Sequence, residues 1–213
     1  MRFAHLSDSH LGNRQFGIFE RELDFYNVFE RTIDKIIELD VDFVIHSGDL
    51  FDQSRPSTDA LLTFQNGLLR LNEHDIPIYA IAGNHDSILR KDVKPPLVLF
   101  RQLGLNLISP NVPAYEFEDI LICGTPYMPI SQKENLVDVI NQLSELSKDY
   151  SKSILVLHQG LEHHLPDESV ELKHDDIPDN FDYYAMGHLH DFIQKEHGRG
   201  YLVYPGSMEL MHV

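Results

Sequence analysis

Five short polar motifs stand where apolar runs of strand length stop. They are Asp8-Ser9-His10, Gly48-Asp49, Gly83-Asn84-His85-Asp86, His158-Gln159-Gly160 and Gly187-His188-Leu189-His190. Between them, strand-like runs alternate with amphipathic helices. That alternation implies an α/β architecture with helices packed outside the sheets. In such folds ligands bind beyond the carboxyl ends of the strands. Four of the motifs lie directly at such ends, and His158 caps the fifth run.

The periodicities set the elements. Strands are expected over 2–7, 41–47, 76–82, 105–109, 114–117, 120–123, 153–157, 183–186, 192–196 and 201–204, the last two joined as a hairpin through His197-Gly198-Arg199-Gly200. A helix over 20–39 carries Phe25, Phe29, Ile33, Ile36 and Ile37 on one stripe. Ser57, after Pro56, is an N-cap for a helix through Leu71. Pro95-Pro96 opens a short helix to Leu103 that Gly104 stops, and a further helix spans 134–146.

The chain of 213 residues suits one domain over 1–213 with a sizeable core. No apolar stretch approaches the roughly 20 residues that cross a membrane, and the N-terminus turns polar too soon for a signal peptide. One cysteine, Cys123, allows no internal disulfide, which suits a reducing cytosolic or nuclear setting; Cys123 itself reads as a small buried apolar residue. The net charge of -17 argues against nonspecific nucleic-acid binding but not against a nuclease, because bound cations offset site carboxylates.

The motif residues are hard oxygen and imidazole ligands. Asp8 and His10 are two apart at the end of an extended run, so both can point to one side. Asp49 could bridge two ions, and Gly48 before it allows a tight turn. Asn84 offers a neutral oxygen. His158 follows a strand, and His188 and His190 repeat the two-residue spacing, so each could serve a different ion. Mixed oxygen and nitrogen ligands suit manganese, iron or zinc better than magnesium or calcium. Two ions about 4 Å apart can activate water and hold both sides of an in-line displacement at phosphorus. Any one motif alone is more often a turn than a site; five in this order at strand ends point to phosphoester chemistry. His5 and His46, inside strands, read as core or supporting groups. His74, His163, His164, His174, His197 and His212 read as solvated.

The motif order resembles the calcineurin-like metallophosphoesterase superfamily, whose fold is a sandwich of two mixed β-sheets flanked by helices. Intervening residues narrow the resemblance. Asp8 to Gly12, Arg14-Gln15-Phe16, Arg21-Glu22, Asp24-Phe25-Tyr26, Gly48 to Phe51, Ser54 to Ser57, Gly187 to His190 and Tyr204 to Ser207 are similar to the Mre11 and SbcD family of DNA double-strand-break repair nucleases, in archaeal style. The resemblance implies one ion on Asp8, His10, Asp49 and His190 and a second on Asp49, Asn84, His158 and His188. Asp49 bridges, and His85 stays uncoordinated to act on the leaving group. It also implies manganese-dependent 3′-to-5′ exonuclease activity on duplex DNA and endonuclease activity on single strands. The alternative on the same metals is a phosphatase or phosphodiesterase for a small substrate.

Several further expectations follow from the resemblance. A Rad50-type coiled-coil ATPase is the family's partner, and the capping domain and ATPase-binding region are expected to be absent from this chain. A homodimer is expected through the helices near 57–71 and 96–103. The cellular site is cytoplasmic and nucleoid-associated in an archaeon, nuclear in a eukaryote. Arg14, Arg55, Arg90 and Lys91 are candidate contacts to DNA phosphates. Asp52 departs from the His or Asn often found in relatives; it stands three after Asp49, where metallophosphatases resembling this chain place an aspartate beside their catalytic histidine, and that resemblance implies a carboxylate pair with His85 that favours the imidazolium form.

Overall fold

The computed structural model describes residues 1–87, 94–162 and 170–211. Its elements run in the order β1 (Phe3–Leu6), α1 (Phe19–Glu38), β2 (Phe43–His46), α2 (Thr58–Glu73), β3 (Ile78–Ala80), β4 (Leu105–Leu107), β5 (Ala114–Phe117), β6 (Ile120–Gly124), α3 (Lys133–Ser147), β7 (Lys152–His158), β8 (Tyr183–Gly187), β9 (Ile193–His197) and β10 (Gly200–Tyr204). Short 3-10 turns fill several connections, the longest over Pro96–Leu103.

Strands β1-β2-β3-β4 form one sheet and β5-β6-β7-β8-β10-β9 a second. The first is wholly parallel. The second is mixed, with antiparallel pairs at both edges, β5 with β6 and β9 with β10. The expected pair of mixed sheets is thus realised in one sheet. Helical segments separate the strands of the first sheet, so each can re-enter in the same direction, whereas β5–β6 and β9–β10 are hairpins.

Strand alternation explains the layers. Phe43 and Ile45 of β2, with Tyr79, Ile81, Ile122, Ile154 and Val156, fill the space between the sheets. Val44 faces the other way, into a core shared with Phe29 and Ile33 of α1 and Phe64 and Leu68 of α2. Leu155 and Leu157 of β7 face Leu136 and Ile140 of α3. Each buried side chain of this size contributes roughly 1.5–3 kcal/mol. The result is a sandwich of helices, sheet, sheet and helix.

The capping signals act as expected. Ser57 Oγ accepts from the Ala60 amide at 3.1 Å, and Gly104 takes φ +99° after Leu103. The stretch ending at Leu103 is a 3-10 helix rather than an α-helix. Cys123 is fully buried, and no helix among the described residues is long and apolar enough to cross a membrane.

Candidate metal centre

Two motif loops leave adjacent parallel strands and run side by side. The Asp8 amide donates to the Gly48 carbonyl (3.0 Å), His10 to Asp49 (3.0 Å) and Leu11 to Leu50 (2.9 Å). The strands β1 and β2 are thereby continued as an irregular ladder through the two motifs. Within it, Asp8, His10 and Asp49 take positive φ of 52°, 42° and 53°, and His188 takes 93°. Such backbone costs a non-glycine residue about 1–3 kcal/mol and persists where the surroundings enforce it. Its effect is to turn consecutive polar side chains toward one point.

Glycine makes the convergence possible at two places. At Gly48, φ is +101°, and a Cβ would overlap the His158 ring; at Gly83 it would overlap the Asp49 carboxylate. The loop backbones approach the site side chains as closely as only glycine permits.

The seven expected ligand residues come together at the seam of the two sheets. His10 Nε2 lies 3.3 Å from His190 Nε2 and 3.8 Å from both Asp8 Oδ1 and Asp49 Oδ2. His190 Nε2 lies 3.7 Å from Asp8 Oδ1. On the other side, His158 Nε2 lies 3.3 Å from Asp49 Oδ2 and 3.0 Å from Asn84 Oδ1, which is also 3.0 Å from His188 Nδ1. Asp49 therefore stands between two groups of ligand atoms. The buried Asp8 Oδ1 meets no hydrogen-bond donor among the described residues. An orphaned carboxylate oxygen facing two imidazole nitrogens is a donor set that fits a cation, since a buried acceptor without a partner is otherwise costly.

Electrostatics follow from this crowding. Burial opposes ionisation of Asp49, but facing His158 and His10 holds its carboxyl well below the usual range. Burial works against charge on His158, and Asp49 outweighs it, lifting the imidazole to about 9. Burial and His158 push His188 down to about 4. His158 Nδ1 donates to the Ser47 carbonyl at 2.7 Å, which turns Nε2 toward the site.

His85 is exposed at the mouth, edge-on to His10 with ring centroids 4.8 Å apart. The Asp52–His85 contact runs through the main chain, although Asp52, His85 and His10 each bring a ligand atom within 4.8 Å of the others. His85 Nδ1 lies 2.8 Å from the backbone carbonyl oxygen of Asp52. The Asp52 carboxylate turns inward instead: Oδ1 accepts from Asn13 Nδ2 at 2.8 Å and lies 3.5 Å from His10 Nδ1. A turn at Asp52 presents its main chain to one histidine and its side chain to another.

The candidate phosphate contacts fare differently. Arg14 is tied to Glu22 through Nε (2.8 Å) and Nη2 (2.6 Å), with Tyr26 donating to the same carboxylate. Arg55 is exposed, and among the described residues no salt bridge engages it. Both line a groove of about 370 Å³ with Asp52, Gln53 and Ser57. Arg90 and Lys91 lie outside the described residues, as do His163, His164 and His212.

Other groups build the site without advertising it in sequence. Asp86, inside the third motif, is fully buried and accepts from the amides of Leu50 (2.9 Å), Phe51 (2.7 Å) and Gly83 (3.2 Å). Burial and the Asp49 charge raise its carboxyl to about 7 against those three donors. Tyr127 stacks on His188 at 5.9 Å between centroids and donates to Glu171 at 2.8 Å; no local pattern marks it. His5, half-buried, and His46, fully buried, are supports bonded to Ser47 Oγ (2.8 Å) and Ser9 Oγ (2.7 Å), and desolvation lowers both to about 3. His197, expected in solvent, is half-buried and donates to the Ile177 carbonyl at 3.1 Å.

Residues 1–192 match the family described as Calcineurin-like phosphoesterase. The chain is similar to the DNA double-strand break repair protein Mre11 of Methanocaldococcus jannaschii, at 39% identity over 100% of this chain and 57% of that protein. The Mre11 proteins of Thermoplasma acidophilum (38%, over 97% and 56%) and Saccharolobus solfataricus (40%, over 89% and 49%) are also similar. The chain thus spans about half the length of the curated relatives it matches. Among solved structures, a dimetal phosphatase from Danio rerio superposes with a TM-score of 0.62 at 11% identity, covering 98% of this chain and 88% of that one. A Thermus thermophilus protein gives 0.61 at 14% identity, over 97% and 90%. At these identities the structural likeness shows the fold. Family match, sandwich and converging ligand set agree, and the chain belongs to the calcineurin-like phosphoesterase family, as a relative of the Mre11 repair proteins.

Proposed function

We propose that this chain is the nuclease domain of a DNA double-strand-break repair protein and hydrolyses DNA phosphodiesters with two divalent ions. The observation that carries the reading is the convergence of seven oxygen and imidazole ligand residues around Asp49, in a chain 39% identical to an Mre11 protein. Asp8, His10, Asp49 and His190 would hold one ion, and Asp49, Asn84, His158 and His188 the other. The mixed donor set admits manganese, iron or zinc, and the resemblance to the Mre11 family selects Mn2+ among them. Bound there, the ions would activate water and neutralise phosphate charge.

The protein's own groups supply orientation and a proton. A carbonyl oxygen only accepts, so His85 Nδ1 carries the hydrogen directed at Asp52. Nε2 is then the nitrogen that exchanges a proton with the leaving 3′-oxygen. Arg55 offers an unengaged guanidinium beside the groove for a phosphate, and Arg14 a second one that must share with Glu22. With no base-reading motif in the sequence, cleavage is expected to follow strand ends and single strands rather than sequence, as 3′-to-5′ exonuclease and endonuclease activity.

Exposed Leu62 and Leu69 of α2 and Leu99 of the 96–103 turn form the surface on which two copies would pair. Such a dimer would present two sites to DNA, and a Rad50-type ATPase is the partner expected of the longer protein. The test is a Mn2+-dependent assay on duplex and single-stranded DNA beside a small phosphodiester, with His85→Ser as control. Cleavage of the small ester alone would return the chain to the small-substrate phosphodiesterases.

A further inference from the structure

The two ends of the His10 imidazole have different surroundings. Nε2 faces His190, Asp8 and Asp49. Nδ1 is buried, and no group among the described residues reaches it within hydrogen-bond geometry. The acceptor beside it is Asp52 Oδ1 at 3.5 Å. That oxygen is not free to wander, because Asn13 Nδ2 donates to it at 2.8 Å. Asp52 is only 18% exposed, so its charge is poorly screened by water.

An imidazole that ligates through one nitrogen must carry its hydrogen on the other, and the partner of that hydrogen sets both ring orientation and donor strength. For His158 the partner is the neutral Ser47 carbonyl at 2.7 Å. For His10 the adjacent group is a carboxylate. The two ligand groups around Asp49 therefore differ in their supporting shell, although their ligand atoms are alike.

We propose that Asp52 is a positioning residue for His10, forming a carboxylate–histidine–metal relay that makes one ion of the pair bind more tightly than the other. The proposal rests on the two-ion reading above and deepens it. In this role Asp52 acts through His10 rather than directly on substrate or ion. With an ion on Nε2, the 3.5 Å gap would close, so that Asp52 accepts the Nδ1 hydrogen, fixes Nε2 toward Asp8 and His190, and raises the basicity of that nitrogen. Asn13 aims the carboxylate.

The experiment is Mn2+ titration of apo-protein, with free ion followed by its EPR signal, on wild type, Asp52→Asn, Asp52→Leu, Asn13→Ala and His10→Ala. Asp52→Asn keeps an acceptor without its charge, and Asp52→Leu removes both. Wild type is expected to bind two ions unequally. One of them should weaken about 10-fold in Asp52→Asn and about 100-fold in Asp52→Leu, while the other stays within about threefold. Asn13→Ala should weaken the same ion less. Circular dichroism checks that each variant is folded. If His10→Ala loses one ion while Asp52→Leu keeps both at wild-type affinity, the relay is refuted and the metal reading stands. Two ions retained in His10→Ala would overturn the metal reading and the relay with it. Equal weakening of both ions in Asp52→Leu refutes the asymmetry that the relay requires.

Discussion

His85 is held by the main chain of Asp52, its Nδ1 lying 2.8 Å from the carbonyl oxygen. A backbone carbonyl does not titrate and cannot be removed by substitution. The His85 orientation is therefore expected to survive changes at the Asp52 side chain.

Replacement of His85 by Ser should consequently cost about 10²–10⁴-fold in DNA cleavage, the usual range for a lost general acid, while both ions are retained. Asp52→Asn should keep most of the cleavage rate once Mn2+ is saturating. Steady-state cleavage, beside metal titration, checks both. A loss in Asp52→Asn at saturating Mn2+ as large as that of His85→Ser would show that the carboxylate acts on His85 after all.

Asp86 anchors the loops from inside. Removing its carboxylate leaves the buried amides of Leu50, Phe51 and Gly83 without an acceptor, at about 1–3 kcal/mol each. Asp86→Ala should destabilise the fold by at least about 3 kcal/mol, read from urea unfolding. Asp86→Asn should lose less, because its single carbonyl oxygen still serves part of the set.

Metal removal should be visible in stability as well as in activity. Two buried carboxylates, Asp8 and Asp49, share this pocket, and a ligand that binds only the folded state adds about 2.7 kcal/mol at 100 times its Kd. Mn2+ at that level should raise Tm by about 5–10 °C over chelated protein for a chain of this size. Calorimetry with and without EDTA measures it. An unchanged Tm at saturating Mn2+ would argue against ion binding at these residues.

Asp182 offers a pH test remote from the site. Burial opposes its charge, but Lys152 at 2.9 Å, the Ser153 amide and Arg199 at 2.8 Å hold its carboxyl below the usual range. A depressed folded-state value stabilises the fold above the unfolded carboxylate pKa of about 3.9 and loses that contribution as pH falls through the folded value. Asp182→Asn should therefore lower stability by about 1 kcal/mol at pH 7, the charged groups being partly solvent-exposed. The gap to wild type should close below about pH 3.9. Urea midpoints over pH 3–7 follow it.

The dimer surface can be tested on its own. Leu69→Arg and Leu99→Arg change residues that are 39% and 65% exposed in the single chain, so the fold should tolerate them. Wild type is expected to sediment as a dimer at micromolar concentration and the variants as monomers. Monomeric wild type would remove this face from the account.

Much of the molecule was legible before folding. Helical stripes such as Phe25, Phe29 and Ile33 and strand runs such as Ile154 to Leu157 are local periodicities, and burial obeys them. The ligand residues were legible because strand ends carry them in chemistry-bearing types. What only the tertiary structure decided is where side chains go once the strand stops. Asp8, His10 and Asp49 turn toward one another through left-handed backbone that no propensity predicts. Asp52 presents its carbonyl to His85 and its carboxylate to His10 because its loop is zipped to the segment after His10. Arg14 is taken by Glu22 from the next helix, and Tyr127 meets His188 across the top of the sheet. Sequence determines which groups are available and at which strand ends they stand; loop dihedrals and contacts between distant segments determine which atom of each group faces the site.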